Sequence, residues 1–119
     1  MPNYKILNTD NLYRRIPKKE FYWKYVNGKK VPSSFAFKTR TNEDGLSVNI
    51  EALTTPELIV EKSELFGVAK FSASIPLELG FSCRHDPKPN NNSHALIVGD
   101  TKPIAKKLSK AVTKVFYIE

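Results

Sequence analysis

His85 and His94 bracket the loop Asp86-Pro-Lys-Pro-Asn-Asn-Asn-Ser93. Two imidazoles can divide the acid–base work of RNA phosphodiester cleavage: one takes the 2′-hydroxyl proton and the other protonates the leaving oxygen. Arg14 and Arg15, adjacent in a strand-forming run, offer guanidinium charge for the phosphorane that such a reaction creates. Ser34, in Pro32-Ser33-Ser34, adds a hydroxyl suited to a nucleotide pocket, although a serine pair after proline also turns or caps a chain. The candidate catalytic set is therefore His94, His85, Arg14, Arg15 and Ser34. The plain alternative for His94 is a histidine that opens a buried strand and bonds backbone. Cys83, His85, Asp86 and His94 match no zinc spacing, so no metal is expected. Without a glycine-rich phosphate loop, nucleophile elbow or Walker motif, no cofactor is expected either.

Binding residues are easier to find than catalytic ones. Lys102, Lys106, Lys110 and Lys114 recur at every fourth position with Lys107 beside them, and no acid occurs from 101 to 118. On a helix each like-charge pair at that spacing costs about 0.2–0.5 kcal/mol, so stability alone favours an interleaved glutamate. Cations about 6 Å apart along such a ridge suit a phosphodiester backbone. A solvated helix face whose late lysines complement the dipole is the bland reading. In Glu20–Lys30, Phe21, Tyr22, Trp23 and Tyr25 stand among Lys24, Lys29 and Lys30. Interleaved aromatics and lysines are what single-stranded nucleic acid binders use, and also what a half-buried strand uses. Alternation assigns Phe21, Trp23 and Tyr25 to the core and leaves Tyr22 outward as the ring for stacking.

The net charge of +7 is unevenly laid out: residues 1–40 carry +8, 41–80 carry −5 and 81–119 carry +4. If the outer segments meet in space, a positive side results that steers anionic partners. The expected partner is RNA or single-stranded DNA, with an acidic protein surface as the rival. With 119 residues, 40% of them hydrophobic, the chain fits one domain with a sizeable core. We expect a flexible tail over 1–8 and a single domain over 9–119. One cysteine forms no internal disulfide. The first residues lack a secretory pattern and no apolar run can span a bilayer, so a cytoplasmic location is expected and no membrane partner. Asn91-Asn92-Ser93 is a glycosylation sequon by pattern only.

These residues need elements to position them. Residues 11–16 read as a short strand ending at Pro17. Asn27-Gly28 between β-formers predicts a two-residue hairpin pairing Val26 with Lys29, Tyr25 with Lys30, Lys24 with Val31 and Trp23 with Pro32. Strands are expected at 33–38, 46–50, 67–73 and 81–85, and a fully buried one at 94–98. Thr55-Pro56-Glu57 starts a short helix running to about Ser63, and residues 74–80 form a turn of helix closed by Gly80. Ile104, Ala105, Leu108, Ala111, Val112 and Val115 form a helical apolar stripe, predicting one long amphipathic helix from Thr101 to about Phe116. The fold class is α+β: a mixed or largely antiparallel sheet with an N-terminal hairpin, that long C-terminal helix and one or two short helices.

Arg14-Arg15-Ile16, Pro32-Ser33-Ser34 with Ala36-Phe37, Leu46-Ser47-Val48, and His94-Ala95 with Ile97 and Gly99 together resemble a pattern in small uncharacterised bacterial proteins, over about residues 12–114. The resemblance implies a bacterial origin and one compact domain, and it brings no activity. An early-strand arginine followed by a serine pair is also similar in layout to ADP-ribosyltransferases, but Glu119, the only late glutamate, is terminal. The expected function is a small basic module for RNA or single-stranded DNA. The alternatives are a metal-independent phosphodiesterase or nucleotide- or ADP-ribosyl-transferring enzyme, and a domain for an acidic protein partner.

Overall fold

In the computed structural model, which describes residues 4–118, eight strands and three short helices are built around one six-stranded sheet. The strands are β1 (Asn11–Pro17), β2 (Trp23–Val26), β3 (Lys29–Pro32), β4 (Gly45–Ile50), β5 (Phe66–Ser72), β6 (Cys83–His85), β7 (His94–Val98) and β8 (Lys114–Phe116). Their order in the sheet is β6-β7-β4-β1-β5-β8, every neighbouring pair antiparallel, with β2 and β3 as a separate hairpin. The helices are α1 (Pro56–Val60), α2 (Ser74–Glu78) and α3 (Ala105–Lys110). None is long and apolar enough to cross a membrane.

Alternation along the strands divides the apolar residues between two faces. Leu12 and Ile16 of β1 join Leu46, Val48, Phe71 and Ile97 beneath α3 and the 3-10 turn Ser34–Phe37. On the opposite face Tyr13 and Val68 pack with Ile59 and Val60 of α1 in a smaller cluster. Thr55 caps α1 by accepting from the Leu58 N–H, which satisfies one of its orphan donors. Residues 1–3 of the expected tail lie outside the described residues. Tyr4 is tied through its N–H to His85 Nδ1 at 2.8 Å, and Ile6 is buried.

The expected long C-terminal helix does not form. A 3-10 turn at Lys102–Ile104 leads into α3, which stops at Lys110, and the chain re-enters the sheet as β8. Val115 pairs with Ala69 and Phe116 with Val68. β-Branched and aromatic residues from Val112 onward favour that strand, and β5 would otherwise be a bare edge. The apolar stripe was real only over Ile104, Ala105 and Leu108, the part that is buried.

Three smaller expectations also fail. Residues 34–37 form a 3-10 turn rather than a strand, tethered where the Ser33 N–H donates to the Tyr22 carbonyl. β7 is buried only at Ala95 and Ile97, because its other face is partly open. The hairpin has the expected register, but Glu20–Tyr22 is a 3-10 turn that breaks the alternation before Trp23. Tyr22 is therefore buried with Trp23, while Phe21 and Tyr25 are 57% and 71% exposed.

Candidate anion-binding sites

Cross-strand pairing puts Lys24, Val26, Lys29 and Val31 on one face of the β2–β3 hairpin. That face forms one wall of a groove of about 570 Å³, and Ser109, Lys110, Val112 and Lys114 form the other. Lys30 also reaches the groove. Lysines from both ends of the chain thus line one channel with several valines, and among the described residues no carboxylate lines it. Among the described residues none of these five lysines has an acidic partner within ion-pair distance. The remaining lysines of the expected ridge are dispersed by the early end of α3. Lys102 turns toward another cleft, Lys107 lies over a shallow depression beside Glu78 and Leu79, and Lys106 is exposed and lines no described cleft. Tyr22, the expected stacking ring, is absent from the groove.

A second basic site lies at the middle of the sheet. β1 and β4 pair at Leu12–Ile50 and Tyr13–Asn49, and where the ladder lapses Arg14 turns its guanidinium into the gap. Its Nε donates to the Ala36 carbonyl at 3.0 Å and its Nη1 to the Ser47 carbonyl at 2.8 Å. No carboxylate is within ion-pair distance of it among the described residues. Burial disfavours the charged form and pulls its pKa down from 12.5 to about 10, against a smaller upward pull from Glu43. Arg14 is the floor of a cleft of about 500 Å³ whose other cations are Arg15, Lys38, Arg40 and Lys102. Tyr22, Phe35 and Phe66 supply aromatic walls, and among the described residues Glu43 is the one acid that lines it. The Arg15 guanidinium stacks 4.4 Å over Phe66, and Arg40 Nη2 donates to the Tyr22 hydroxyl at 3.0 Å. Thr39 and Thr101 fasten the two loops together, each N–H donating to the other's hydroxyl at 3.2 Å.

Arg14 and Arg15 also line a third cleft, of about 440 Å³, with Ser47, Asn49, the Asn90–Asn92 loop and His94. His94 Nδ1 lies 2.9 Å from the Asp86 carbonyl oxygen and 3.3 Å from its carboxylate. A proton on Nδ1 serves both, leaving the Nε2 lone pair available, a base oriented by a carboxylate. Asp86 itself is held below the usual carboxylate range, chiefly by its bond to Lys88.

His85 does not join it. It pairs across from Ala95 on the core side, accepts the Tyr4 N–H on Nδ1 and uses Nε2 on the Asn92 carbonyl at 2.6 Å. Both ring nitrogens are occupied, so the two-histidine arrangement is not assembled. Ser34 opens the 3-10 turn and lines none of the described clefts. Of the five catalytic candidates, the fold brings together Arg14, Arg15 and His94.

Sequence reasoning missed Lys38, Arg40 and Phe35, which fell in segments read as strand or polar loop, and the Asp86–His94 pairing. Known protein families, curated proteins and solved structures contain no match to this chain.

Proposed function

We propose that this protein is a small basic module that binds RNA or single-stranded DNA along the groove between the hairpin and the C-terminal segment. The observation that carries the reading is the convergence of Lys24, Lys29, Lys30, Lys110 and Lys114 on one channel that no acid among the described residues lines. Uncompensated lysines repel one another, and a polyanion relieves that repulsion while releasing its own counterions. The valines receive the apolar faces of sugars and bases, and the lysines follow the backbone without reading sequence.

Fluorescence anisotropy with a labelled single strand tests it. Affinity should fall with rising salt at a log–log slope of about −3, since each of roughly four or five single-strand phosphate contacts contributes about −0.7. Lys29→Glu with Lys110→Glu should weaken binding at least tenfold. No binding at low salt defeats the reading, and equal affinity for a polyglutamate peptide transfers it to an acidic protein partner.

A second reading is supported by the third cleft. In this reading His94, backed by Asp86 and lining the same cavity as Arg14 and Arg15, acts as a general base toward a phosphate ester. Turnover of an RNA dinucleotide that His94→Ala abolishes while the fold persists supports this; full activity in that variant removes it.

A further inference from the structure

The arginine cleft differs from the lysine groove in kind. The groove is a channel rimmed by flexible lysines, whereas the cleft is a pocket with fixed planar forks and rings. Arg14 is a cation set into the sheet that, among the described residues, is bonded to two carbonyls and has no acid within ion-pair distance. A half-buried charge in that condition keeps part of its desolvation cost unless an opposite charge comes to it. Three chain segments bring further cations to the same opening: β1 gives Arg15, the stretch after the Ser34–Phe37 turn gives Lys38 and Arg40, and the turn before α3 gives Lys102. Arginine forks match the oxygens of a phosphate bidentately, which lysine cannot do.

Aromatic rings are set among these cations: Phe66 lies under Arg15, and the Tyr22 hydroxyl accepts from Arg40. Phe35 is 45% exposed and stacks at 5.1 Å from both Phe21 and Tyr22. These rings are held against one another, and Tyr22 and Phe35 line the cavity. A volume of about 500 Å³ falls within the range of ligand pockets, about 300–1,000 Å³. Converging cations, the rings set among them and that size together suit a ligand that carries a compact anionic group and a flat ring.

We propose that this cleft binds a nucleoside monophosphate, either free or as the phosphorylated end of a strand, with the phosphate on Arg14, Arg15 and Arg40 and the base against Phe35. The proposal rests on the anionic-partner reading but on a different site, since cleft and groove share no lining residue. A terminal phosphate carries up to two charges against the one of an internal diester, so the cleft prefers an end. Glu43, which faces the cavity and accepts the Arg40 N–H, opposes the ligand electrostatically.

Isothermal titration at low salt tests it with adenosine monophosphate, adenosine and inorganic phosphate as probes. The monophosphate should bind at least tenfold more tightly than either fragment. Arg40→Ala should weaken it at least tenfold. Glu43→Gln, which keeps the hydrogen-bond acceptor and removes the charge, should tighten it several-fold, a gain that misfolding cannot imitate. Tenfold or greater preference for a 5′-phosphorylated over a 5′-hydroxyl oligonucleotide identifies the strand end; binding of the free monophosphate without that preference identifies the nucleotide. Inorganic phosphate binding as tightly as the monophosphate overturns the aromatic half of the proposal, and absence of monophosphate binding overturns all of it. If an oligonucleotide binds while the monophosphate does not, only the cleft assignment falls. If the monophosphate binds and the oligonucleotide does not, only the groove reading falls.

Discussion

Arg14 and Arg15 are neighbours in β1 and meet burial in opposite ways. Arg15 has Glu61 at 3.6 Å and a ring beneath it, in a partly exposed pair. Arg14 has two backbone carbonyls and no acid. The pair therefore separates into a cation that a screened, largely exposed ion pair compensates in part and one that has only carbonyl partners among the described residues. It follows that truncating them has unequal costs. Arg14→Ala orphans the part-buried Ala36 carbonyl at about 1–3 kcal/mol, while the exposed Ser47 carbonyl turns to water and removal of a half-desolvated charge offsets part of the loss. A net loss of about 1–2 kcal/mol is expected from urea denaturation. Arg15→Ala removes a screened ion pair and a cation–π contact and should cost less than about 1 kcal/mol. Equal losses contradict this division.

Glu51 sets part of the acid limb of stability. One carboxylate oxygen accepts from Lys70 Nζ at 2.7 Å and from the Tyr13 hydroxyl, and the other accepts from Asn11, joining β1 to β5. These bonds, Lys70's first, hold its pKa below the usual 4.5. A lowered folded pKa contributes stability that is fully present above the unfolded value and is lost as pH falls through the folded one. The stability gap between wild type and Glu51→Gln should thus be constant from pH 7 to 5 and close progressively as pH falls below 4.5. Urea midpoints at those values measure it; a gap that widens on acidification contradicts the assignment.

Cys83 should be a slow thiol. Burial pushes its pKa up to about 11, and the thiolate is the reactive form. At pH 8 alkylation by iodoacetamide is expected to run about two to three orders of magnitude slower in the native protein than in urea, given an ordinary cysteine pKa near 8.5. Native labelling at the unfolded rate would show that the side chain is open to water.

The elements that were legible from sequence are those whose cause is local. Asn27 and Gly28 both adopt positive φ, 52° and 80°, so the turn residues alone dictate the hairpin register. Thr55 and Pro56 start α1 for equally local reasons. The C-terminal helix failed because what ends it is distant: Lys114–Phe116 complete the edge of β5, more than forty residues earlier in the chain. The arginine cleft was illegible for the same reason. Arg14, Lys38 and Lys102 have no common sequence period and meet only because the loop carrying Thr39 is fastened to Thr101. The lysine groove was half legible: its residues were visible as two basic clusters, but their meeting depends on the chain leaving α3 at Lys110.

Gly45 tests the sheet on which these sites stand. It opens β4 opposite Val98, and a Cβ there would fall 2.3 Å from the Ile97 carbonyl oxygen, a backbone atom that cannot turn aside. β4 lies between β7 and β1, so a shift at this point displaces the strand that carries Ser47 and Asn49. Gly45→Ala should lose about 3 kcal/mol or more, within the range of severe backbone substitutions. Gly28→Ala is the control: its Cβ meets nothing within 4 Å, and the cost is confined to positive φ, about 1 kcal/mol. Comparing the two urea midpoints separates steric displacement of the sheet from turn strain, and a Gly45 variant as mild as the Gly28 one would mean that β4 does not approach β7 as closely as described.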